Sequence, residues 1–162
     1  MRRYIVILVL FALVMLAAVS FGREREYENV RIYFVDAQIM KLIGIETQVE
    51  KSDIESVANE VVSAIIEGHD DNEKIKRVLP KVKHGMSVKV NDRTAYVDIK
   101  EEMVQKQEKS RVAEAMAIYS VVNSLTGIEG IDAVNFTVNG MYQKDYAGFL
   151  DMRRTFTYSN IY

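Results

Sequence analysis

The chain contains no cysteine, one proline and two histidines among 162 residues. Without cysteine there are no disulfides, no thiolate metal sites, no thiol nucleophile and no lipid-bearing N-terminal cysteine. An excess of positive charge is also missing. With Arg2 and Arg3 set aside, 19 basic side chains face 23 acidic ones, a net charge of about −4. A polyanion demands a concentrated basic face, so nucleic acid is not an expected partner. What is present is globular in character, at 49% hydrophobic and 27% charged. The length suits one domain with a modest extension.

The extension comes first. MRRYIVILVLFALVMLAAVSFG places two arginines ahead of an uncharged run from Tyr4 to Phe21. At roughly 18 residues the run is long for a signal-peptide core and just sufficient for a helix crossing a bilayer. Residues 1–22 are therefore expected to form a single-pass transmembrane anchor, with cleavage after the small residues Ala18 and Ser20 as the alternative. Either way the arginines hold the N-terminus inside and deliver the remainder outside the cytoplasm, where a cleaved form would be secreted. Residues 23–29 read as a solvated spacer of mixed charge, and 30–162 as one extracytoplasmic domain.

Within that domain, VRIYFVDA and LIGIETQVE alternate as two strands of a hairpin across Asp36 to Lys41. Ser52 and Glu55 have capping-box spacing ahead of a helix whose stripe is Ile54, Val57, Ala58, Val61, Val62 and Ile65, and Gly68 ends it. HDDNEKIKRVLPKVKHG, with the lone Pro80, reads as an exposed connection. Met86 to Val90 and Ala95 to Ile99 form a second hairpin turning at Asn91-Asp92-Arg93. After a charged stretch, Ser110 caps a second helix carrying Ala115, Ile118, Tyr119, Val122 and Leu125. Gly127 and Gly130 then lead into a strand with Val134, Phe136 and Val138 inward and Asn135, Thr137 and Asn139 outward.

Chemistry is sparse along this path. His69, Asp70 and Asp71 are consecutive in a loop, where neighbours rarely converge on one ion, so neither metal nor cofactor is expected. Asp98 falls on the polar face of its strand. Ser120 and Ser124 have no histidine nearby to activate them. The Gly127–Gly130 loop follows a helix C-terminus, whereas phosphate loops run from strand into helix. The Asn135-Phe136-Thr137 sequon reads as chance.

The order of YF near the start, LPKVKHGMSVKVNDRTAYVDI, EAMAIYSVVNSLTGIEGIDAVNFTVNG and GFLDMRRTF resembles the GerMN domain of sporulation and spore-germination proteins. Its telling elements are Pro80 with Gly85, Asp98, the Tyr119-to-Thr126 helix end, and Gly140 followed by Gly148-Phe149-Leu150-Asp151. The resemblance implies an α+β domain of two amphipathic helices on a mixed or antiparallel sheet, related in shape to ring-building modules, with no enzyme activity. It implies assembly of envelope complexes, through self-association or another envelope or sporulation protein. The alternative is a module binding a small germinant or cell-wall fragment. Six of the last 21 residues are aromatic, and interface centres favour aromatic residues and arginine. Tyr142, Tyr146, Phe149, Arg153, Arg154, Phe156 and Tyr158 are thus the candidate interface.

Overall fold

A computed structural model describes residues 25–68 and 74–162; the expected anchor and His69, Asp70 and Asp71 lie outside the described residues. Strand β1 (Tyr27–Asp36) begins inside the stretch read as a spacer and pairs antiparallel with β2 (Lys41–Glu50) from Tyr27↔Glu50 to Asp36↔Lys41. The alternating pattern explains the pairing: Val30, Ile32 and Phe34 are buried on one face, while Arg31 is exposed on the other. The short β3 (Ile75–Lys76) joins the far edge of β1 at Val35 and Asp36, giving the sheet order β2-β1-β3.

Between β2 and β3 runs α1 (Ile54–Glu67). Its cap is Asp53, not Ser52: the Asp53 carboxylate accepts from the Ser56 backbone N–H at 3.0 Å and from the Ser56 hydroxyl at 2.7 Å. Glu55, freed from a capping role, reaches Val90 N–H. The predicted stripe is buried apart from the partly exposed Ile54. Gly68 closes the helix with φ +72°, in the region that favours glycine.

Residues 74–84 are not simply an exposed connection, since Leu79 and Val82 are buried in the core beside β3. The basic side chains around them had masked two apolar anchors. The second sheet has order β4-β5-β6, made of β4 (Met86–Asn91), β5 (Thr94–Ile99) and β6 (Ala133–Val138). β4 and β5 form the expected hairpin, with Asp92 at φ +46° and Arg93 at φ +59°, the two positive values of a type I′ turn. β6 lies parallel to β5.

The crossover between β5 and β6 carries two helices. Inside the charged stretch, α2 (Glu101–Lys106) buries Met103. Gly85 makes room for it, because a Cβ there would stand 2.9 Å from the Val82 carbonyl oxygen and overlap Met103. The long α3 (Arg111–Leu125) is capped by Ser110, whose hydroxyl accepts from Ala113 N–H at 3.1 Å. α1 packs on β4 and β1, α3 packs on β1, β2 and β6, and the two helices touch each other. Among the described residues, the expectation of two helices on one sheet is thereby corrected to an α+β arrangement of two three-stranded sheets and three helices. None of the described helices is long and apolar enough to cross a membrane.

Candidate interaction surface

The C-terminal tail, residues 141–162, closes over α3, and the residues that hold it define the surface it presents. At the start of α3, Glu114 is completely buried. Its carboxylate accepts from three backbone N–H groups of the tail: Ala147 at 3.1 Å, Phe149 at 3.1 Å and Leu150 at 2.7 Å. Burying a carboxylate is costly unless its lone pairs are satisfied, and the tail loop supplies that satisfaction. Beside it, the Tyr146 hydroxyl donates to Gln107 Oε1 at 3.2 Å, and Gln107 Nε2 donates to the Val78 carbonyl at 3.1 Å. Burial, and secondarily the Glu114 carboxylate, push the Tyr146 phenol far above its ordinary range. No buried side-chain nitrogen or oxygen among the described residues is left without a partner.

Further along, Phe156 seals the side of β6. It exchanges both backbone bonds with Val134 at 2.8 Å, and its ring meets Phe136 and Tyr119 edge to face. Tyr162 stacks on Tyr119 with centroids 4.2 Å apart. Arg154 lies 4.6 Å over the Phe156 ring and donates to the Tyr119 hydroxyl at 2.6 Å. Asn123 exchanges two bonds with the backbone of Ser159.

The seven tail residues therefore separate by environment. Tyr146 and Phe156 belong to the core. Arg154 is engaged with Tyr119 and Phe156, and Arg153 grips Asp151 with two nitrogens, holding that carboxyl well below the usual range. Tyr142 (70% exposed), Phe149 (46%) and Tyr158 (54%) face outward. Aromatic and arginine content signalled the tail, but Glu114 was missed. The available signal was a lone acid among alanines and aliphatic residues in RVAEAMAIYS.

Two concavities open beside these outward residues. A groove of about 270 Å³ is lined by Arg111, Val112, Met116, Phe149, Leu150 and Tyr162, with Val112 52% exposed and Arg111 5.6 Å over the Phe149 ring. A more polar cleft of about 280 Å³ is lined by Asn29, Arg31, Tyr33, Glu46, Asn123 and Tyr158. There Arg31 donates to Glu46 Oε1 from Nε at 2.8 Å and from Nη2 at 2.6 Å, and Tyr33 meets Tyr158 edge to face. Partial burial and a hydrogen bond with Tyr158 raise the Tyr33 phenol, opposed by Arg31.

The residues weighed for chemistry have structural duties. Asp98 Oδ1 accepts from Thr137 Oγ1 at 2.7 Å and Gly140 N–H at 2.6 Å, tying β5 to β6 and its following turn. Asn139, of the outward row, accepts from Glu101 N–H. Ser120 donates to the Ala117 carbonyl inside the core, and Ser124 accepts from Tyr33 N–H at 2.8 Å while donating to the Ser120 carbonyl. Among the described residues no three His, Asp or Glu side chains gather as a metal site would require.

The same architecture occurs in solved structures. The first GerMN domain of the sporulation protein GerM from Bacillus subtilis superposes with a TM-score of 0.62 at 20% identity, covering 82% of this chain and 98% of that one. The tandem GerMN domains of the same protein give 0.62 at 20%, covering 80% of this chain and 45% of theirs, so this chain spans about half of the tandem. A Clostridium perfringens crystal structure gives 0.57 at 19%, covering 82% and 87%. No curated protein matches the sequence. Residues 31–144, well over half of the chain, match the family model Germane, described as sporulation and spore germination. The chain belongs to the Germane family of sporulation and spore germination.

Proposed function

We propose that this protein is a non-enzymatic assembly component of the sporulation or germination envelope. Its N-terminal segment holds it in the membrane, and its domain, outside the cytoplasm, binds another envelope protein. The observation that carries this reading is the groove between α3 and the tail, where Val112 and Phe149 are exposed around an apolar floor beside Arg111. A partner presenting one large apolar side chain flanked by a carboxylate has the complementary chemistry, since buried anchors in pockets dominate interface energies. A photo-crosslinker at Val112 of the full-length protein is expected to capture one specific envelope protein in sporulating cells. Phe149→Ser should reduce that capture at least tenfold while leaving the melting temperature within a degree or two, roughly the effect of an exposed substitution. Capture that is absent, or unchanged by Phe149→Ser, would sink the reading.

The cleft around Tyr33 and Tyr158 favours a second reading, a module for a small germinant or cell-wall fragment, because it sets a guanidinium–carboxylate pair beside aromatic rings. Calorimetric titration with amino acids and muropeptides addresses it. Binding heat that disappears in Tyr158→Ala supports this reading, and the absence of heat with every compound removes it.

A further inference from the structure

The edges of the two sheets are finished differently. At the outer edge of β4, the Asn59 amide of α1 acts as a strand: its Oδ1 accepts from Val88 N–H at 2.9 Å and its Nδ2 donates to the Val88 carbonyl at 2.8 Å. Glu55 accepts from Val90 N–H at 3.3 Å. β6 is covered at Val134 by Phe156 and at Val138 by Met141. The far edge of β1 is met by β3 at Val35 and Asp36 and by Ser124 at Tyr33.

β2 is the exception. Tyr33 N–H turns away from β2, and Lys51 N–H bonds the Glu26 carbonyl at 2.8 Å. With the β1–β2 register, these fix the alternation, so that Leu42, Gly44, Glu46, Gln48 and Glu50 present their N–H and C=O groups outward. Among the described residues no hydrogen bond reaches those groups. A ten-residue strand with an uncovered edge is a template for another strand.

We infer that this edge pairs with the same edge of a second copy, antiparallel about a two-fold axis at Ile45, to make a continuous six-stranded sheet. The inference deepens the assembly reading by naming one partner, and it uses a surface apart from the α3–tail groove.

The register follows from charge. In antiparallel pairing, outward-bonding residues must oppose outward-bonding residues, which leaves centres at Gly44, Ile45 or Glu46 near the middle of the strand. A centre at Glu46 opposes two carboxylates directly, which is unfavourable. A centre at Gly44 brings two arginines together, because Arg31 lies across Gly44: a Cβ there would stand 2.5–2.7 Å from Arg31 Cδ and Cγ. A centre at Ile45 sets Glu46 opposite the second copy's Gly44, and hence against the arginine lying over it. Nε and Nη2 of Arg31 both bond Glu46 Oε1 within one copy, which leaves Oε2 to accept from the second guanidinium. On the other face, Ile45 opposes itself and Ile43 opposes Thr47, so the half-exposed β-branched side chains of the edge cover one another.

The absence of native cysteine makes the test clean. The full-length protein in mild detergent should sediment as a concentration-dependent dimer, and Ile45→Cys should form a disulfide-linked dimer on mild oxidation. Gln48→Cys is the register control, since its two copies would stand roughly 20 Å apart. Gln48→Pro removes only an outward N–H, so it should keep the circular-dichroism spectrum and weaken the dimer at least tenfold. Should that variant misfold, charge exchange substitutes for it: Arg31→Glu and Glu46→Arg each weaken the dimer at least tenfold, and the double variant restores it. A protein that is monomeric at every concentration overturns the inference, even where groove-dependent partner capture persists. So does a dimer that survives Gln48→Pro, links through Gln48→Cys rather than Ile45→Cys, or is lost in Phe149→Ser alone.

Discussion

Helices α1 and α3 are similar in length and both are capped by a side chain at the N-terminus, yet they occupy opposite environments. α1 buries one face, Val57, Ala58, Val61, Val62, Ile65 and Ile66, and exposes residues such as Glu60 and Ser63. α3 is buried on every side from Ala113 to Leu125, polar residues included. A helix that meets water on one face needs one packing surface, whereas a helix buried all round needs a second one. In this protein the tail supplies it, through Tyr146, Met152 and Phe156 and through the backbone donors gathered on Glu114. The difference teaches that the tail is part of the folding unit, with only its outward residues available for contact.

The contrast breaks most severely at Phe156, where truncation to alanine removes the ring between Tyr119 and Phe136. A loss of about 3–5 kcal/mol in chemical denaturation is expected, typical of emptying an aromatic core site. The tail should become protease-sensitive while α1 stays protected, and equal sensitivity of both helices would erase the distinction between them. Glu114→Gln comes next. An amide keeps one acceptor oxygen but turns a donor toward backbone N–H groups, so a loss of about 2 kcal/mol is expected, with faster amide exchange at Ala147, Phe149 and Leu150. Unchanged exchange there would show that the carboxylate does not hold the loop.

The smallest effect at neutral pH belongs to Tyr146→Phe, at about 1 kcal/mol from the unpaired Gln107 oxygen. Its informative readout is alkaline. The folded phenol titrates well above the unfolded value of 10.0. Its contribution is therefore complete below pH 10 and is lost as pH rises from there toward the folded value, because the unfolded chain releases its proton first. Tyr146→Phe should flatten the fall in stability above pH 10. An identical alkaline slope in both proteins would remove Tyr146 as its source.

Much of this fold was legible in local pattern. Alternation at Val30, Ile32 and Phe34 and at Val134, Phe136 and Val138 found strands, and the period of α1 found its buried face. A turn at Asn91-Asp92-Arg93 followed from the apolar arms on either side, and the structure narrows it to Asp92 and Arg93. What escaped had charge in front of it. Leu79 and Val82 sit among lysines, and α2 sits within EEMVQKQEKS, so composition read both as solvated. The cap of α1 moved by one residue because Asp53 and Ser52 are both competent acceptors, and only the backbone direction chooses between them. At the tail, aromatic content marked a candidate surface but could not sort Tyr146 and Phe156 inward from Tyr142 and Phe149 outward. Residue type reports the gain from burial, not which side chain meets the core.

The sequence by itself excluded thiol chemistry and patterned the domain into strands and helices whose inward residues can be named. These follow from short-range periodicity and from residues that are absent, both visible along the chain. Tertiary structure decided the rest. It divided the strands into two sheets, closed the tail over α3 around the Glu114 carboxylate, plugged the β4 edge with Asn59 and, among the described residues, left the β2 edge uncovered. Each of these depends on groups far apart in sequence meeting at hydrogen-bonding distance, and no local pattern encodes that meeting.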